Sequence, residues 1–311
     1  MRRIAFFMIS LLIITILLAG CGEKAVEPVE KTGLTVYTSF YPLYDITRKI
    51  GGAHVNVINL VPSGIEPHDW EPGPQTLSTL LAADLLIVNG LGMEPWLAKL
   101  ADTLQGEVRV VDTSVGIPPL YGYTDPDDED EHEDATAIPD PHIWLDPLYA
   151  LQQAETITIA LSESDPLHAD SYTSNLAQFR SQVEELDNFF KETLQTVKRR
   201  EFVVTHLSFG YVAKRYGLTQ MAISGLTSHA EPSPAQMKDL VEFARLHQIR
   251  YIFQEPLATS RLAEALATEV GAKLLTLSPL EGLTPEEEAA GEDYFSVMRK
   301  NLEQLAKALR E

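Results

Sequence analysis

Residues 166–200 form the one segment that reads as a long unbroken helix, and little else in the chain narrows the choice of fold so far. Apolar residues recur there at Tyr172, Leu176, Phe179, Val183, Leu186, Phe190, Leu194 and Val197, in steps of three and four that make one stripe. Ser162, Ser164, Asp165 and Pro166 supply a start signal, and Lys198, Arg199 and Arg200 suit a C-terminal end. At about 1.5 Å per residue the helix would run on the order of 50 Å, more than one small domain needs to cover a face of its sheet. It predicts a spine joining two lobes.

On either side of the spine, strand-like and helix-like stretches alternate. Before it, strands are predicted at 34–38, 54–61, 85–89 and 108–112, separated by helices at 43–50, 74–82 and 95–104, with a further helix at 147–161. After it come strands at 202–205, 220–223, 251–254 and 273–277, with helices at 209–216, 234–247, 261–270 and 294–309. Such alternation implies an α/β fold: two lobes, 34–165 and 201–311, each a mostly parallel sheet covered by helices, bridged by 166–200. In sheets of this type ligands gather beyond the carboxyl ends of the strands, so the residues just after a strand are the candidates for a site.

The first 20 residues differ from the rest. Arg2 and Arg3 precede an apolar run from Ile4 to Leu18, and Leu18, Ala19, Gly20 and Cys21 follow, the layout of a signal peptide ending in a bacterial lipobox. Cleavage would leave Cys21 lipid-modified, with 21–33 as a tether holding the body outside the cytoplasm at the cell membrane. Cys21 is the only cysteine, so the mature protein can form no internal disulfide and offers no thiolate to a metal. Loss of 1–20 removes two arginines and no acid, leaving 22 basic and 45 acidic residues, a net charge of −23. That balance argues against nucleic acid and suits a cation.

Three histidines stand where ligands are expected. His68 lies in E-P-H-D-W-E-P, His142 in D-P-H-I-W-L-D-P, and His206 ends the strand in F-V-V-T-H-L-S-F-G. A proline before His68 and His142 restricts the chain locally. Asp69 and Asp146 are near enough in sequence to accept the second ring proton that a metal-bound imidazole usually gives to a carboxylate. Trp70 and Trp144 either wall the site or pack in the core, and His54, His168 and His247 fall on predicted strand or helix surfaces.

With T-H-L-S-F-G-Y-V-A-K-R-Y-G-L and I-S-G-L-x-x-x-A-E-P-S-P, these motifs resemble the metal-binding lipoproteins of zinc and manganese ABC importers, in particular the zinc branch. The resemblance covers nearly all of the mature chain. It implies two lobes bridged by a long helix, with Zn²⁺ held between them by His68, His142, His206 and an acidic residue after the last strand. It also implies an importer permease with its ATPase as partner, and a monomer. The stretch after the last strand reads T-L-S-P-L-E-G-L; some relatives have Asp where Ser278 stands, so Glu281 is the expected fourth ligand, with Glu66 and Glu255 as competitors. Manganese relatives usually replace the third histidine by Glu, so His206 argues for zinc, manganese being the alternative.

An enzyme is the rival class, a zinc hydrolase with three histidines and a metal-bound water. No H-E-x-x-H is present, and Glu281 would close the open position that such a site needs. A surface adhesin is a third class that would not require the ligands. The acidic segment 125–134, which offers only His132 among its carboxylates, reads as a solvated loop, and His229 precedes A-E-P-S-P where relatives often have Asp.

Overall fold

Both halves of the chain build the same kind of sheet. In the first, β1 (Leu34–Thr38), β2 (Val55–Asn59), β3 (Leu85–Val88) and β4 (Arg109–Asp112) lie in the order β2-β1-β3-β4, all parallel. In the second, β5 (Glu201–Val204), β6 (Thr219–Ala222), β7 (Tyr251–Gln254) and β8 (Lys273–Thr276) repeat that plan as β6-β5-β7-β8. The computed structural model describes residues 33–121, 138–226, 232–258 and 261–311. Cys21, the segment 125–134 with His132, and His229 lie outside the described residues.

Helices connect the parallel strands: α1 (Tyr41–Gly51), α2 (Pro74–Leu80) and α3 (Pro95–Leu104) in the first lobe, then α4 (Pro147–Ser164). The long helix α5 (Ala169–Gln195) follows, and α6 (Gly210–Tyr216), α7 (Pro234–Leu246), α8 (Arg261–Val270), α9 (Pro285–Ala289) and α10 (Tyr294–Arg310) belong to the second half. Proline opens α2, α3, α4, α7 and α9, where its missing N–H is no loss.

The spine is shorter than its sequence suggests. Residues Pro166–His168 form a separate 3-10 turn, so α5 has 27 residues, a length of about 40 Å. Residues 196–200 leave the helix because they bind the second lobe instead. The Lys198 and Arg199 amides donate to Leu309 O at 3.1 Å, and Arg199 Nη1 donates to His247 O at 2.7 Å and to Gln248 O at 2.8 Å. The apolar stripe holds as expected: Tyr172, Phe179, Val183, Leu186, Phe190 and Leu194 are buried. Through it α5 packs on α1 and α4 of the first lobe and on α6 and α10 of the second.

One apolar core therefore runs from Val36 and Leu43 through Phe179 and Leu186 to Phe202, Leu302 and Leu309. Smaller clusters cover the outer face of each sheet, around Leu86 and Trp96 in one and around Ile252 and Leu266 in the other. Because the central core is shared, residues Gly33–Glu311 make up one compact unit.

Candidate metal centre

The carboxyl ends of both sheets face the same interior point, and four side chains meet there. His68 hangs from the loop after β2, His142 stands before the 3-10 turn Ile143–Leu145, His206 lies two residues past β5, and Glu281 follows β8. His142 and His206 have no exposed surface, Glu281 is 2% exposed, and the His68 side chain is 6% exposed. His142 Nε2 lies 3.3 Å from His68 Nε2 and 3.2 Å from His206 Nε2. Glu281 Oε1 lies 3.4, 3.2 and 3.3 Å from the Nε2 atoms of His68, His142 and His206.

These separations decide what the cluster fits. Five of the six edges of this tetrahedron are 3.2–3.4 Å, and a tetrahedron with edges of about 3.3 Å has its centre about 2.0 Å from each corner, the distance at which Zn²⁺ holds imidazole nitrogen and carboxylate oxygen. Glu281 Oε1 is buried without a hydrogen-bond partner among the described residues, although three ring nitrogens surround it. A buried carboxylate oxygen in that condition is costly unless a cation faces it. The donor set, three nitrogens and one oxygen, is one that Zn²⁺ accepts.

Carboxylates fix the ring orientation. His142 Nδ1 donates to Asp140 Oδ1 at 2.7 Å, and the His142 amide donates to the same oxygen at 2.9 Å. His206 Nδ1 donates to Glu255 Oε1 at 2.7 Å, and the Thr205 hydroxyl donates to that oxygen too. With the proton held on Nδ1, the Nε2 lone pair of each ring faces the centre. Asp146 does not serve His142 as its nearness in sequence suggests. It caps α4 by accepting from the Leu148 amide at 2.9 Å and pairs with Arg215. Asp140 was legible in principle as the acid of D-P-H, since a bend at Pro141 brings a carboxylate two residues back onto the ring.

Glu255, one competitor for the fourth position, is thus spent on His206. The other, Glu66, accepts from the His68 amide at 3.4 Å. Burial and the neighbouring Glu281 push its carboxyl up to about 8. Its oxygens gather with those of Glu255 and Glu281, and Glu281 is the acid that also reaches the three imidazoles.

Charges at the centre are strongly coupled. Burial pulls the His142 and His206 pKa values down, but the carboxylates outweigh it: Asp140 and then Glu281 raise His142, and Glu255 and Glu281 raise His206 well above the ordinary imidazole range. Burial alone would raise Glu281, yet His206, His142 and His68 hold it well below the usual carboxylate range. Protons and a divalent cation would therefore compete for the same ring nitrogens.

The loop bearing Glu281 departs from ordinary backbone. Leu280, buried, has φ 58°, a left-handed conformation that costs a branched side chain roughly 1–2 kcal/mol. Trp144 reaches this loop: fully buried, it donates from Nε1 to Pro279 O at 2.8 Å while its ring lies 5.2 Å from that of His142. It both packs in the core and walls the site. Trp70 is half-buried and packs edge-on against Trp96 at 6.0 Å. Of the other histidines among the described residues, His54 stacks on His168 at 3.9 Å, His168 pairs with Asp165, and His247 lies against Phe243; none of these three joins the centre.

Known proteins resemble this chain over nearly all of its length. The profile of the family described as "Zinc-uptake complex component A periplasmic" matches residues 36–308. The high-affinity zinc uptake system protein ZnuA of Bacillus subtilis is 36% identical over 305 residues, 94% of each chain. The zinc-binding lipoprotein AdcA of Streptococcus pneumoniae is 35% identical over 308 residues, and the present chain spans 60% of that relative's length. Among solved structures, the Zn(II)-bound ZnuA-like domain of Streptococcus pneumoniae AdcA superposes with a TM-score of 0.76 at 36% identity, covering 90% of this chain and all of that one.

Proposed function

The chain belongs to the ZnuA family of zinc-uptake components, and on that premise we propose that it captures Zn²⁺ with His68, His142, His206 and Glu281 and hands it to a metal ABC importer. Members of this family are solute-binding components of an importer, working outside the cytoplasm with a permease and its ATPase, and are not enzymes. The observation that supports the ligand set is the approach of Glu281 Oε1 to three Nε2 atoms, and of His142 Nε2 to the other two, at 3.2–3.4 Å in a buried cluster. The third imidazole favours zinc over manganese, which prefers more oxygen donors.

The sequence L-A-G-C, together with the lipoprotein relative, supports cleavage before Cys21 and anchoring through a lipid on that residue. The chain then acts as a lipid-anchored monomer, with 34–165 and 201–311 as its lobes and 166–200 as the link between them. Metal analysis of protein purified without chelator tests the reading: one zinc per chain is expected, and a chain that retains manganese or no metal would overturn it. Labelling cells with radioactive palmitate tests the anchor, since Cys21→Ser should abolish incorporation.

A further inference from the structure

Glu281 is the ligand with the least obvious support, since it belongs to a loop and its neighbour Leu280 holds a left-handed backbone. Its mount is built from two buried polar residues outside the donor set. Asn301, in the middle of α10 and 4% exposed, turns its whole amide to one residue: Oδ1 accepts from Ser278 N at 2.9 Å and Nδ2 donates to Ser278 O at 2.7 Å. That is the pairing a further strand would give, made by a side chain. Ser278, 5% exposed, then accepts from the Leu280 amide through its hydroxyl at 3.1 Å, which closes the turn around Leu280. Trp144 holds the carbonyl of Pro279 between them.

A buried Asn within a helix is unfavourable unless both its amide groups are satisfied, so its placement calls for a reason beyond helix formation. Resting on the reading of Glu281 as a ligand, we infer that Ser278 and Asn301 are positioning residues for the fourth zinc ligand. They stabilise the left-handed turn at Leu280 that swings Glu281 Oε1 to within 3.4 Å of three imidazole nitrogens. The neutral Ser278 contributes no donor to the metal; its work is on the backbone. The two residues make the carboxylate a fixed donor, ready before the ion arrives.

The test uses Ser278→Ala, Asn301→Leu, Glu281→Ala and the double variants that combine either of the first two with Glu281→Ala. Zinc Kd is measured by competition with a chelating dye, and the visible spectrum of the Co²⁺-loaded protein reports coordination. Ser278→Ala and Asn301→Leu should each weaken zinc about ten- to a hundredfold, the range seen when partners of ligands are removed. They should shift the cobalt bands toward those of Glu281→Ala and add no loss on top of it. Should Asn301→Leu fail to fold, Ser278→Ala alone carries the test. Wild-type affinity and spectrum in the folded variants, with Glu281→Ala impaired, would overturn the inference alone, as would losses that add in full. Wild-type binding by Glu281→Ala would overturn the ligand assignment itself and this inference with it.

Discussion

At the scale of single residues, the proposed centre works by charge and by aim. His142 and His206 bring nitrogen donors whose second ring atoms are tied to Asp140 and Glu255, so each is aimed before metal arrives. His206→Ala should therefore lower zinc affinity by more than about a hundredfold, and Asp140→Ala by about ten- to a hundredfold, in calorimetric titrations. An Asp140→Ala protein with wild-type affinity would remove that carboxylate from the account. The pH dependence follows from the raised imidazole pKa values. Zinc needs both rings neutral at Nε2, so proton competition begins above the ordinary value of 6.5 and grows as the pH falls. In the metal-free protein the sign is opposite: protonated His206 adds stability that is fully present below its unfolded pKa and is lost as the pH rises through its folded one. The melting shift caused by zinc should consequently widen from about pH 5 to about pH 8. An equal shift at both ends would contradict a site built on buried histidines. The three histidines were legible because each follows a strand or a D-P or E-P bend. Asp140 was less so: acids flank His142 on both sides, and only the turn at Pro141 decides between Asp140 and Asp146.

At the scale of elements, the α/β alternation and the amphipathic stripe of α5 could be read directly, since both are periodicities of the chain itself. The ends of α5 could not, because tertiary bonds set them: Arg199 gives its side chain to the carbonyls of His247 and Gln248 instead of continuing a helix. Asn301 was equally hidden. A polar residue in an amphipathic helix looks like a solvated one until the loop it serves is known to pass beside it. The pairing of Asp146 with Arg215 is of the same kind, tying the N-terminus of α4 to α6 across the two lobes. Asp146 is 1% exposed, and burial holds its carboxyl above the usual carboxylate range although Arg215 counters part of that rise. Arg215→Ala should thus cost roughly 3–5 kcal/mol, because it strands a buried charge. Denaturant melts of metal-free protein at pH 7 would show it, and a loss below about 1 kcal/mol would mean that Asp146 is well served by its helix cap alone.

At the scale of the whole molecule, two similar sheets point their carboxyl ends at one centre, and a shared core with α5 through it keeps them there. Of the proposed ligands, the first lobe carries His68 and His142 and the second His206 and Glu281, so neither half would close a four-donor shell alone. That arrangement was foreseeable from the repeated plan of the halves, whereas the approach of Glu281 Oε1 to three ring nitrogens at 3.2–3.4 Å was not, since it depends on how the lobes pack. The central claim is that one zinc sits among these four side chains. A crystal structure of the zinc-loaded protein, with anomalous differences recorded on both sides of the zinc absorption edge, tests it most directly. The account predicts a single strong peak about 2.0–2.2 Å from His68 Nε2, His142 Nε2, His206 Nε2 and Glu281 Oε1. A peak elsewhere, or one in which Glu66, Glu255 or water replaces Glu281, would contradict it.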